Sequence, residues 1–407
     1  MLHMLQHKNF LRLWAGQAVS SVGDGVHRIA VLWWARQATG SDAVVVVVAL
    51  ATVLPTLAAA PLAGWLVDRY SRRGLMLAAD VVRIGTSLAL AFAMWAGSLS
   101  TGMVIGVSIV AAAAAAVFDP ALMSSVTLLV SPEHRLQANS MLGVSGALAG
   151  IVGPALGGLL IGFAGTGAAL WFDAGTFMLS FLLVVVSRIP MPEADADAPY
   201  DGGIGGGLRL VLDHREVRDL VVVAAGLNLC VAPVGVLIVG LAAGPLGLGG
   251  SGFGLLEAAV PAGLVCGLVL APRLVGRSTT ALMALLVTAA GIAFAGVLPI
   301  AWWAGLSFVV AGVGVGVVNA ILPTRFQESV DPTLQGRVFA LVGALSQAGR
   351  PIGLLLAAPM VAAVGVRASF AVCGLGLAVV ALAGRRGLAP AVEPLVTDVA
   401  EFDECLG

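Results

Sequence analysis

The sequence predicts an all-α membrane protein with twelve transmembrane helices in two six-helix pseudo-repeats. Three observations carry this. Of the 407 residues, 59% are hydrophobic and only 11% charged, against roughly 25% charged in a soluble domain. Twelve apolar stretches each reach the about 20 residues that a bilayer crossing needs. Lysines and arginines fall almost entirely into alternate loops. The same composition excludes other classes: a net charge of −1 offers no basic surface for nucleic acid. Cys230, Cys266 and Cys373 lie in apolar runs and build no disulfide framework.

The spans fall near 10–34, 43–66, 75–96, 102–127, 137–162 and 168–187, then 218–242, 251–272, 279–299, 301–323, 338–363 and 366–384. Continuously apolar runs such as Val44–Leu50 and Ile109–Val117 exclude membrane β-strands, which alternate apolar and polar residues. The first span is too long and too polar for a signal peptide. With both termini on one side, seventeen Lys and Arg gather there, from Lys8 and Arg12 through Arg83 to Arg385 and Arg386. The other side holds Arg36 and Arg367, and Arg28 and Arg350 fall within spans. That asymmetry places both termini in the cytoplasm of a multi-pass plasma (inner) membrane protein.

The chain divides into a six-helix half at 1–188, a cytoplasmic linker at 189–217, a second half at 218–386 and an acidic cytoplasmic tail at 387–407. The linker is acidic, then Gly-rich at Gly202–Gly207, then reads as a short amphipathic helix over Leu208–Arg218. Duplication shows in the sequence. Val130-Ser-Pro-Glu-His-Arg-Leu-Gln before span five is answered by Val330-Asp-Pro-Thr-Leu-Gln before span eleven. Gly153-Pro154 is answered by Arg350-Pro351, and Pro55 by Pro261. Parallel halves of this kind are one transporter architecture, with the substrate site between them near the midplane.

The loop after span two reads Gly64-Trp-Leu-Val-Asp68-Arg69-Tyr-Ser-Arg72-Arg73. It resembles the Gly-x-x-x-Asp-Arg-x-Gly-Arg-Arg signature of the major facilitator superfamily, with Ser71 in place of the second glycine. Gly153-Pro154-Ala-Leu-Gly157-Gly158 is similar to the antiporter signature of that family's exporters. Gly23-Asp24, Trp171-Phe-Asp173 and Gly336-Arg337 resemble the branch of multidrug, macrolide and siderophore (enterobactin) exporters. The resemblance covers essentially the whole chain. It implies that Asp68 meets the start of span eleven near Gly336 and Arg337, as a latch of the cytoplasmic face. A carboxylate there suits a helix N-terminus, where the macrodipole favours an anion.

Pro154 removes a helix hydrogen bond, and Gly153, Gly157 and Gly158 let a neighbouring helix come close, so this stretch is expected to form a kinked seam closing the cavity on one side. Ionisable residues inside a bilayer are functional candidates by default. Gln17, Ser21, Asp24 and Arg28 lie four, three and four apart and share one face of span one, with His27 beside them. Burial favours a neutral Asp24 and an adjacent arginine favours its anion, so Asp24 is placed to gain and lose a proton. Asp119 before Pro120, Glu257 in span eight and Arg350 before Pro351 complete the set, and Asp173 reads as structural. Asp24 is expected to pair with Arg350 or, on its own helix, with Arg28; Glu257 and Asp119 are the other carboxylates open to Arg350.

The expected function is proton-coupled efflux of small amphipathic molecules such as drugs or natural products. The alternatives are a dedicated exporter of one endogenous metabolite or siderophore, and a transport-dead membrane sensor or scaffold. No enzyme is expected, since no phosphate-binding loop, prenyl-transfer Asp pair or metal-ligand spacing occurs. The expected partners are a small-molecule substrate, protons and the lipid bilayer, without nucleic acid, for a monomer that uses the proton gradient and no cofactor.

Overall fold

The computed structural model describes residues 7–131, 134–190, 215–274, 279–329 and 343–385. Most of the expected linker, Arg337 and the acidic tail lie outside the described residues, as does the side chain of Asp68. Helix is the only regular secondary structure among the described residues. In chain order the helices are α1 (Lys8–Thr39), α2 (Asp42–Arg69), α3 (Arg72–Trp95), α4 (Thr101–Leu129) and α5 (Arg135–Val185). There follow α6 (Arg215–Ala243), α7 (Gly250–Leu274), α8 (Thr280–Ala295), α9 (Ala301–Ser329) and α10 (Gly349–Ala383). Among the described residues, eight helical stretches are long and apolar enough to cross a bilayer. Two of these run 49 and 41 residues, Gln137–Val185 and Gly343–Ala383, where the sequence predicts two spans each. The difference from twelve arises partly here, because a single glycine replaces the expected loop: Gly165 in α5 and Gly365 in α10, with φ of 82° and 78°. Positive φ is tolerated there because glycine has no Cβ.

The chain forms two compact units. The first comprises Met1–Ala196 with Ala242–Ala258. Within it α1 lies between the two limbs of α5. Trp14 donates to the Met141 carbonyl, Gly25 faces Gly153, and Val26 faces Gly157. On the other limb Arg12 donates to the Val186 carbonyl, Gly16 faces Ser180, Gly23 faces Thr176, and His27 meets Asp173. Along α1 the first-limb partners rise in number and the second-limb partners fall, so α5 doubles back at Gly165. Helix α3 packs on α4 and α5, and α2 on α4. Ser71 caps α3 by accepting from the Gly74 amide at 3.2 Å, with φ −61°. A serine in the loop signature is thus a working N-cap. Phe10, Met76, Phe118 and Leu122 close an apolar core among α1, α3 and α4.

The second unit comprises Asp197–Leu241 with Ala259–Gly407. It repeats the arrangement. Gly349 and Gly353 meet the carbonyls of Ala225 and Leu229, while Gly376, Val380 and Gly384 meet Cys230, Gly226 and Val223. Helix α6 therefore has rising partners on one limb of α10 and falling partners on the other. In α9, Gly312 and Gly316 lie against Val260 and Leu264 of α7, and Gly314 on the opposite face lies against Ala284 and Thr288 of α8. The spacing Gly-x-Gly-x-Gly puts a bare backbone on both faces at once.

One correction concerns charge. Arg83, counted above with the cytoplasmic loops, lies eleven residues into α3, about 16 Å along the helix at 1.5 Å per residue. It is buried. Leaving it out preserves the asymmetry. The two arginines on the opposite side have helix-end duties: Arg36 donates to the Gly40 carbonyl and pairs with Asp42 at 3.3 Å, and Arg367 donates to the carbonyls of Gly296 and Val297. Cations at helix C-termini satisfy orphan carbonyls and the macrodipole together.

Candidate functional site

A cavity of about 200 Å³ opens within the first unit, between α1, α2, α3, α4 and the second limb of α5. Asp24, His27, Arg28 and Arg83 supply its charge; Thr52, Thr56, Thr86, Ser87 and Ser108 add hydroxyls; Ala111, Ala112, Ala115 and Phe177 complete the wall. The polar stripe predicted on α1 is present, with Gln17 donating to Ser21 at 3.2 Å.

Asp24 accepts from Arg83, not from Arg28 on its own helix. Its side chain is 49% exposed, whereas that of Arg83 is 6% exposed. The guanidinium lies 4.0 Å from the Phe177 ring centroid and 5.8 Å from that of Phe118. Two aromatic faces thus contribute cation–π attraction to a cation that has left water. Arg28 reaches instead to Glu257 at 3.2 Å; the carboxylate is buried and its second oxygen has no partner among the described residues. The expected Arg28–Asp24 pairing is therefore wrong, because each head group is drawn to a neighbouring helix rather than along its own. Arg350 sits in the second unit at the start of α10, directly before Pro351.

Asp173 is fully buried. Its Oδ2 meets His27 Nδ1 at 2.9 Å and accepts from Ser87 Oγ at 2.6 Å. Asp80, also fully buried, accepts from Ser180 at 2.9 Å. Sequence reasoning missed Asp80 and the burial of Arg83, although both fall inside span three and lie three apart, a spacing that marks one helix face. Asp119 is exposed on α4 and makes no hydrogen bond or ion pair among the described residues. Among those residues no group of three or more His, Cys, Asp or Glu could hold a metal.

The Gly-Pro stretch forms a close seam. A Cβ on Gly153 would stand 2.9 Å from the Gly25 Cα, and one on Gly157 3.0 Å from the Val26 Cα. On Gly158 it would stand 2.7 Å from both the Gly250 carbonyl and the Gly254 Cα, while Pro154 presents its carbonyl to Gly254. The first turns of α7 are thereby seated on α5. Gly158→Ala is expected to destabilise by about 1–3 kcal/mol, because the clash is with backbone that cannot rotate away. Gly64→Ala is expected to stay within about 0.5 kcal/mol or stabilise, since no described atom lies within 4 Å of its Cβ position and alanine favours helix. Thermal unfolding of the two variants in detergent tests the contrast; equal midpoints would contradict it.

In the loop signature, Arg73 donates to the Val184 and Val185 carbonyls and so caps the end of α5. Arg69 lies over the Trp65 ring at 5.6 Å, and Arg72 opens α3. The Asp68 latch falls outside the described side chains.

Helical bundles in two similarly wound units, one enclosing a charged cavity between apolar helices, are the architecture of a small-molecule membrane transporter. The chain belongs to the Major Facilitator Superfamily, which it matches over residues 13–354. It is 31% identical to the multidrug efflux pump Tap of Mycobacterium tuberculosis, covering 98% of this chain and 97% of that protein. It is 25% identical to macrolide efflux protein A of Streptococcus pyogenes, covering 97% of each. Its fold is similar to that of the nucleoside transporter NupG, with a TM-score of 0.73 at 13% identity over 93% of this chain and 98% of that one. A bacterial homolog of the lysosomal transporter Spinster in an inward-facing, unoccupied conformation gives 0.71 at 15% identity, over 93% and 97%. The protein is a transporter and not an enzyme.

Proposed function

We propose that this protein exports small amphipathic molecules, such as drugs or natural products, in exchange for protons across the plasma membrane by alternating access. One observation carries the reading: Asp24, half exposed to the cavity, balances a buried Arg83. Protonating Asp24 releases the guanidinium from its partner, and a substrate group can then compete for the vacated charge. Deprotonation restores the pair. The multidrug and macrolide exporters among its relatives support the outward direction. In this reading the chain is a monomer that crosses the bilayer twelve times with both termini cytoplasmic, α5 and α10 each supplying two crossings. The halves divide near 188 and 218.

The test is transport by the purified protein in proteoliposomes with an imposed pH gradient, using ethidium and a macrolide as probes. Gradient-driven movement of either probe that a protonophore stops supports the proposal. Movement that ignores the gradient, or that needs ATP, overturns proton coupling. In the same assay Asp68→Asn is expected to remove most or all transport with insertion intact, because it deletes the latch charge and leaves the positive loop. Wild-type rates in that variant would refute the latch.

A further inference from the structure

The cavity has a second titratable group that the Asp24–Arg83 pair does not involve. We infer that His27 is a proton-binding site of the cavity in its own right, with Asp173 as its positioning residue. The inference rests on the proposed proton coupling for what the proton accomplishes, but not for where it binds.

Asp173 reaches the cavity through His27 and Ser87, which both line it. Its carboxylate is fully buried, and Oδ2 is occupied by His27 Nδ1 and Ser87 Oγ. Its Oδ1 has no partner among the described residues and is pressed against the backbone of α1. A Cβ at Gly23 would lie 2.9 Å from that oxygen and 2.0 Å from Thr176 Oγ1, so the glycine of the Gly23-Asp24 pair is what admits the carboxylate. His27, in contrast, borders the cavity. Its ring meets Asp173 through Nδ1, and Nε2 makes no hydrogen bond among the described residues.

The chemistry follows from that placement. With Asp173 ionised, Nδ1 carries the ring proton and donates it to Oδ2, which fixes the tautomer and leaves the Nε2 lone pair for the cavity. A proton taken from cavity water onto Nε2 makes an imidazolium, and returning it to water restores the neutral ring; no other bond changes. Without that proton the buried pair carries a net negative charge, with one carboxylate oxygen unpartnered. With it the pair is neutral overall, which low-dielectric surroundings favour. The charged groups facing the ring are Asp24 on α1, Arg83 on α3 and Asp173 on α5, and Arg28 on α1 lines the same cavity. Asp173 and Asp24 are the nearby negative charges and Arg83 the nearby positive one.

The experiment needs neither substrate nor gradient. The full-length protein, labelled with ring-¹⁵N histidine in nanodiscs, has five histidines, and His27→Gln identifies the His27 signals. We expect Nδ1 to stay protonated and Nε2 to gain and lose a proton as the pH is varied over the range in which the protein stays folded. Asp173→Asn should move that midpoint by about one pH unit or more, or change the tautomer. Should that variant fail to fold, Ser87→Ala removes one bond to the same oxygen and should move the midpoint without changing the tautomer. An Nε2 that never titrates in this range overturns the inference. So does a midpoint and tautomer that no folded variant alters. Loss of gradient dependence in the proteoliposome assay would overturn the proposed coupling and leave this result standing; the converse pattern would sink the His27 site alone.

Discussion

Asp24→Asn and Arg83→Met are both expected to abolish gradient-driven transport, but to differ sharply in stability. The asymmetry comes from exposure. Asp24→Asn leaves Arg83, with 6% of its side chain exposed, as an unpaired buried cation. Breaking a buried pair from one side costs roughly 3–5 kcal/mol. The Phe177 and Phe118 rings reduce that loss but cannot replace a carboxylate. Arg83→Met instead fills the space with an apolar chain and leaves Asp24 facing the cavity, where water can solvate it. It should fold nearly as well as the wild type. The double variant Asp24→Asn/Arg83→Met should recover the stability lost by Asp24→Asn and recover no transport. Thermal midpoints in detergent, read beside proteoliposome transport, decide the matter. If Arg83→Met still moved a probe down a pH gradient at wild-type rates, the pair would not be the coupling element.

The second large effect has the opposite polarity. In the Arg28–Glu257 pair the buried partner is the acid, with 6% of its side chain exposed against 43% for the arginine. Arg28→Ala strands Glu257, whose Oε1 already lacks a partner among the described residues. It is therefore expected to cost roughly 3–5 kcal/mol. Glu257→Gln leaves an arginine that water can reach, and it should remain close to wild-type stability. Glu257 also lies on the same first turns of α7 that Gly158 seats against α5. Removing its charge loosens that contact from the α1 side, and the transport rate should change with the fold intact. A thermal midpoint lowered more by Glu257→Gln than by Arg28→Ala would show that the burial assignment is backwards.

Much of the fold was legible because a bilayer leaves few choices. Each span must satisfy its own backbone hydrogen bonds, so apolar length alone marks it as helix. The glycines of the Gly153–Gly158 stretch were readable as close-contact positions, since a residue without a side chain can contribute only backbone geometry. The doublings at Gly165 and Gly365 were not, because a one-residue break leaves no polar loop to see. The site was readable in part. The stripe Gln17, Ser21, Asp24 and Arg28 follows from helical spacing, and so does its claim to function. Its partners did not follow. Nothing in the sequence pairs Arg83 with Asp24 or Asp173 with His27, because helical spacing relates only residues of one helix.

The sequence by itself determined that this chain is a helical membrane protein, which helices carry charge, and which face of α1 is polar. Those properties depend on composition and on the 3.6-residue period, both local. Only the tertiary structure decided that Asp24 meets Arg83, Arg28 meets Glu257, and His27 meets Asp173. Each pair joins side chains from different helices, at separations of 59, 229 and 146 residues. The physical reason is that a helix presents its polar groups to whichever neighbours its packing supplies, and glycines such as Gly23 and Gly25 select those neighbours by admitting some groups more closely than others.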